Sequence, residues 1–124
     1  MPSRLLAVVL DCHDAEALAR FWCAVFGSSV SNRWTDSAGT EYVEVGLGEE
    51  PPGAVLLLQP VADPKPSKNR LHLDLAADDR DQAGEVARLV ELGAVQLSDP
   101  DEHPWVVMAD PEGNEFCVLP RRGL

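Results

Sequence analysis

Between Ala15 and Phe26 the apolar residues Leu18, Phe21, Trp22, Val25 and Phe26 recur at i, i+3, i+4, i+7 and i+8, the stripe of an amphipathic helix. Asp14 can cap its start and Gly27 its end. A second helix is predicted over Arg80–Leu92, with Ala83, Val86, Ala87 and Val90 as its stripe, capping-box spacing from Asp79 to Gln82, and Gly93 as the stop. Strand-like runs surround both helices. Leu5–Asp11 precedes the first, and Ser29–Trp34, Tyr42–Leu47 and Ala54–Gln59 follow it; Leu71–Ala76 precedes the second, and Val95–Ser98, Trp105–Ala109 and Glu115–Leu119 follow it. The order β-α-β-β-β therefore occurs twice.

The repeat has a register. Ala7 lies seven residues before Asp14 and His72 seven before Asp79, while Gly53 and Gly113 each stand seven residues before a proline, Pro60 and Pro120, so that Leu57 aligns with Cys117. Between the halves, Pro60–Asn69 carries Pro60, Pro64 and Pro66 and reads as a connection. The expected organisation is one domain over residues 1–124, with a first module at about 1–60, a linker at about 61–69 and a second module at about 70–124. A module of about sixty residues is marginal alone, so the two are expected to share one sheet system.

Alternation along the strands assigns faces. Leu71, Leu73 and Leu75 should pack on the second helix, leaving His72 and Asp74 on the opposite face, where the first half has Ala7, Val9 and Asp11. In the last strand Phe116 and Val118 form one face, and Glu115, Cys117 and Leu119 the other. A face that mixes polar and apolar groups suits a small-molecule site.

Charge narrows the partners. With 10 Lys+Arg against 21 Asp+Glu the formal net charge is −11, which repels phosphate backbones and anionic lipid, and no basic stripe offsets it. Nucleic acid and membrane are not expected partners. Leu5–Leu10 is far short of the ~20 apolar residues of a membrane span, and no targeting pattern is evident, so a cytoplasmic location is expected. Cys12, Cys23 and Cys117 are odd in number and contain no C-x-x-C, which fits reduced thiols.

The doubled β-α-β-β-β order, the phrase Asn69-Arg70-Leu71-His72-Leu73-Asp74-Leu75, the turn Asp110-Pro111-Glu112-Gly113-Asn114 and the helix endings Phe26-Gly27 and Leu92-Gly93 together resemble the vicinal oxygen chelate superfamily, which includes glyoxalase I, bleomycin- and fosfomycin-resistance proteins and extradiol dioxygenases. The resemblance spans essentially the whole chain and is nearest to small bacterial glyoxalase-like domains. It implies an α+β fold in which two tandem βαβββ modules form a curved mixed-sheet cup with helices on the outer face, usually completed by a homodimer. It also implies metal positions in the first and last strand of each module, which fall here on Ala7, Leu57, His72 and Cys117. Of these, only His72 is a usual ligand, Cys117 can bind as thiolate, and Ala7 and Leu57 offer no donor. Gln59 and Glu115 are displaced by two residues, roughly 6.6 Å along a strand, too far to substitute at ~2 Å bond lengths. No metal is expected; if one binds, Zn, Ni, Mn or Fe, its ligands are His72 and Cys117.

Each candidate has a bland reading beside its sharp one. His72 is a candidate general base or ligand, against a histidine satisfied by Asp74 or backbone. Asp74, about 6.6 Å further along the same face, is placed to orient a ligand rather than bond His72, or else is simply solvated. Cys117 is a candidate thiolate partner of His72, against a buried inert thiol. Glu115 is a candidate acid or base, against a solvent-facing residue after a turn. Trp34, Tyr42 and Trp105 are candidate stacking walls, against interface packing, and Lys65, Lys68 and Arg70 form the one local positive cluster, a candidate attractor of an anionic ligand against exposed charge in a linker.

Two functions follow. The first is a small-molecule-binding protein with a degenerate metal site, sequestering or acting on an aromatic or amphipathic metabolite or drug, lined by Tyr42, Gln59, His72, Asp74, Trp105 and Cys117. The alternative is a metal-dependent lyase, isomerase or dioxygenase-type enzyme, with His72 and Glu115 as catalytic candidates; it needs at least three protein ligands. A regulatory protein with a filled cup is a third possibility, and would close its interior with bulky apolar side chains.

Overall fold

In the computed structural model, which describes residues 2–123, strand β1 (Ala7–Cys12) is followed by helix α1 (Ala15–Phe26) and strands β2 (Val30–Thr35), β3 (Glu41–Val45) and β4 (Val55–Pro60). The same order returns as β5 (Asp74–Leu75), α2 (Gln82–Leu92), β6 (Val95–Gln96), β7 (Val106–Ala109) and β8 (Glu115–Val118). Each repeat makes one four-stranded mixed sheet, ordered β1-β4-β3-β2 in the first and β5-β8-β7-β6 in the second. In both, the first strand runs parallel to the last and the remaining pairs are antiparallel. The chain divides into two compact units between Asp63 and Pro64.

In the first unit α1 forms as its periodicity predicts. Asp14 accepts the Ala17 N–H, and Gly27 ends the helix at φ 62°, a left-handed conformation that costs glycine little. Leu18, Phe21, Trp22 and Val25 are buried, and so are Val43, Val45, Leu56 and Leu58 on the strands. Trp22 meets Phe21 edge-on at 5.1 Å and stacks on Phe26 at 5.7 Å, anchoring the core between helix and sheet.

The second unit departs from expectation in two places. Helix α2 starts at Gln82 rather than Arg80, because Asp81, not Asp79, caps it by accepting the Gly84 N–H. Gln82 is no capping-box partner, since its amide donates to the carbonyls of Pro104 and Val118. The buried face of α2 is Glu85, Val86 and Leu89, leaving Ala83, Ala87 and Val90 exposed. That rotation comes from Glu85, a buried carboxylate held at 2.8 Å by both Arg80 and Arg88. The exposed stripe lines a cleft of about 470 Å³ that includes none of the expected site residues.

The predicted strand over Leu71–Ala76 contracts to Asp74–Leu75. Its partner β8 spans four residues where β4 spans six, so the ladder available to it is shorter. Beyond the pair only the Leu73 carbonyl, accepting from Cys117 N–H, and the Leu75 carbonyl, accepting from Leu119 N–H, extend it. Leu71 consequently does not pack on the helix; it is exposed.

Candidate functional site

The parallel register of β5 on β8 sets Asp74 opposite Cys117, and opposite residues of a pair share a face. His72, two residues before Asp74, reaches the same place. The imidazole, the carboxylate and the thiol sulfur all lie within 4.8 Å of one another. His72 Nε2 is 3.3 Å from Asp74 Oδ1, so the two residues pair directly, contrary to the spacing argument. A regular strand from Leu71 would hold the two side chains apart, but His72 precedes the short strand that forms. Asp74 is therefore the third donor that strand spacing did not supply. His72 and Asp74 are exposed, while Cys117 is buried. Burial and the neighbouring Asp74 carboxylate push the Cys117 thiol above its ordinary pKa, with Lys68 opposing them.

The donor types are ones that would suit a divalent ion: imidazole, carboxylate and thiolate all serve as zinc ligands, the imidazole and carboxylate atoms stand 3.3 Å apart, and all three donor atoms lie within 4.8 Å.

Glu115 is elsewhere employed. Its carboxylate accepts the Asn69 backbone N–H at 2.9 Å and an ion pair from Lys65 at 3.0 Å, and these hold its pKa below the ordinary glutamate value although burial pushes the other way. Lys65 also donates to the Ser67 carbonyl. Glu115 thus clasps the segment before β5 onto β8. The neighbouring turn is closed by buried Asp110, which accepts the N–H groups of Glu112 and Asn114 and the Asn114 amide.

Trp105 lies just before β7 with its ring stacked on His103 at 4.8 Å. Tyr42 and Gln59 belong to the first unit, on the sheet face turned away from α1, because their neighbours Val43 and Leu58 are the buried ones. On that face Tyr42 stacks against Trp34 of the paired strand, centroids 4.0 Å apart and planes 17° apart. The polar end of each ring is tied: Tyr42 OH donates to Asp36 at 2.9 Å and Trp34 Nε1–H to Glu44 at 2.6 Å. The Asp36 bond lowers that carboxylate's pKa and raises the phenol's. Sequence reading missed Asp36 and Glu44, although the Glu44 position, alternating with Val43 and Val45, carried the signal.

With this geometry in view, the chain can be compared with known proteins. A family model described as a glyoxalase-like domain matches residues 7–119. The chain belongs to the glyoxalase-like domain family. No curated protein matches it in sequence. Among solved structures it is similar to the trypanothione-dependent glyoxalase I of Leishmania major, at 19% identity and TM-score 0.78, covering 98% of this chain and 88% of that one. It is also similar to the fosfomycin resistance protein FosX of Mesorhizobium loti, at 14% identity and TM-score 0.73, covering 96% and 92%. The FosX of Listeria monocytogenes, solved with manganese(II) and sulfate, matches at 14% identity and TM-score 0.72 over 95% and 92%. These likenesses establish the vicinal oxygen chelate fold for this glyoxalase-like protein. Among its described residues no helix is long and apolar enough to cross a membrane.

Proposed function

We propose that this glyoxalase-like protein binds a small oxygen-bearing molecule at His72, Asp74 and Cys117, and that these residues hold a divalent ion of the zinc class. The observation that carries the reading is the approach of three donors of different chemistry to within 4.8 Å. When bound, such a metal supplies Lewis-acid polarisation of a ligand oxygen. His72 and Asp74 present the exposed side of the cluster, where a ligand arrives. Cys117, buried beneath them, binds as thiolate and fixes the position of the site. Lyase or isomerase chemistry on adjacent oxygens is the reaction class this donor set suits. Cys12, Cys23 and Cys117 are not joined in a disulfide, which accords with a reducing cytoplasmic setting, and a homodimer accords with the family resemblance.

A second reading has its own support. Without a metal, the His72–Asp74 pair satisfies itself and Cys117 stays a neutral thiol, leaving a metal-free binding site for an aromatic or amphipathic molecule. Elemental analysis of untagged protein, purified without chelator and then exposed to Zn²⁺, separates the two. The first reading expects one equivalent of zinc, lost in His72→Ala, Asp74→Ala and Cys117→Ala while each variant keeps its circular dichroism spectrum. Protein that remains metal-free overturns it in favour of the second.

A further inference from the structure

The face of the first sheet turned away from α1 carries an ordered aromatic shelf with acidic surroundings. Trp34 and Tyr42 are cross-strand neighbours in register and stack at 4.0 Å. Both rings are fixed at their polar ends, Trp34 by Glu44 and Tyr42 by Asp36. Glu44 also accepts from Asn32 at 3.2 Å, so one carboxylate organises two side chains of the edge strand β2. Trp34 is nonetheless 39% exposed, an unusual cost for a large ring with both ends of its stack already ordered.

Charge decides what this shelf suits. The single cation of the hairpin, Arg33, is opposite Val43 and therefore on the other face, where it binds Glu16 of α1 at 2.6 Å. The shelf face is left with Glu44 and Asp36 beside the rings and Asp11 further across the sheet, opposite Gln59. Apolar Val9 and Leu57 lie between, paired with each other, and Leu57 is paired with Glu44. A flat cation gains from both features, since the electron-rich ring faces attract positive charge and the carboxylates neutralise it. An anion is repelled by the same groups.

We infer that the Trp34–Tyr42 shelf, with Glu44 and Asp36, is a binding subsite for a flat organic cation such as a quaternised or protonated nitrogen heteroaromatic. This goes beyond the reading above, and it does not depend on a metal. The rings supply the contact area and already stand in position, so little ordering entropy is lost on binding. Glu44 does two jobs, holding the indole and compensating the ligand charge.

The test uses 1-methylquinolinium as the cation, quinoline as its neutral counterpart and naphthalene-2-sulfonate as an anion, each titrated into the full chain with chelator present. Binding is read from the indole N–H signals of Trp22, Trp34 and Trp105 in proton–nitrogen spectra. The inference expects the cation to bind about tenfold more tightly than quinoline, to move the Trp34 signal most, and the sulfonate not to bind. Trp34→Leu should abolish the preference, and Glu44→Gln should weaken cation binding about fivefold with the stack retained. Equal affinity for cation and neutral probe, a Trp34 signal that stays fixed, or no binding by any probe overturns it. Zinc uptake by the same protein, measured separately, reports on the metal reading, so the two fail independently.

Discussion

Under the repeat, His72, Asp74 and Cys117 of the second unit correspond to Ala7, Val9 and Leu57 of the first, and the parallel registers agree: Val9 pairs with Leu57 as Asp74 pairs with Cys117. Corresponding positions thus carry three donors in one unit and three apolar side chains in the other, with His72 just before β5 where Ala7 lies within β1. The first unit concentrates its polar features on the β2–β3 hairpin instead, in the Trp34–Tyr42 stack and its carboxylates. The two helices differ in the same spirit, α1 burying an all-apolar stripe and α2 burying Glu85 between two arginines. Duplicated architecture therefore fixes where a residue sits, and the residue alone decides what chemistry is there.

The strongest way to break the contrast is to transplant it. Replacing Ala7 by His, Val9 by Asp and Leu57 by Cys together should raise zinc uptake from one equivalent to two, because Val9 is half exposed and pairs with Leu57 as Asp74 pairs with Cys117, although Ala7, unlike His72, lies within a regular strand. An unchanged stoichiometry by elemental analysis would mean that strand position does not suffice. Trp22→Ala should cost roughly 4 kcal/mol in denaturant unfolding, since it empties the centre of the first unit's core.

Glu85→Gln tests the other helix and should cost roughly 2 kcal/mol, since Arg80 and Arg88 lose a buried counter-charge but remain about one third exposed to solvent. Hydrogen bonding to Arg88 foremost, with Arg80 assisting, holds the Glu85 carboxyl below its ordinary pKa against the opposing effect of burial. A folded-state pKa below the unfolded one contributes stability above the ordinary glutamate range, and that contribution is lost as pH falls through the folded value. Wild type should therefore lose stability on acidification more steeply than Glu85→Gln, as thermal melts across acidic pH would record. Smallest of the four, Glu115→Gln should cost about 1 kcal/mol by loosening the clasp on Asn69 and Lys65, while leaving zinc uptake intact. Loss of zinc in that variant would return Glu115 to the site.

How much was legible follows from these contrasts. Helix α1, both Gly stops and the doubled element order were readable, because apolar periodicity and caps act locally. Helix α2 was misjudged in its face because Glu85 counts as polar in any periodicity, and only its arginine partners make it a core residue. The pairing of His72 with Cys117 positions was available from the repeat and the resemblance. Asp74 as a third donor was not, since it depends on the strand breaking off before His72. The ties of Glu115 to Asn69 and Lys65 are long-range contacts that no local pattern reports.

The central claim is that Cys117, His72 and Asp74 act as one metal site. Titrating the reduced full chain with Co²⁺ tests it most directly, because a cobalt-bound thiolate gives a near-ultraviolet charge-transfer band. The account predicts a band that saturates at one equivalent and vanishes in Cys117→Ser, with Cys12→Ser and Cys23→Ser unaffected. No band in the wild-type protein, or one that survives Cys117→Ser, would contradict it.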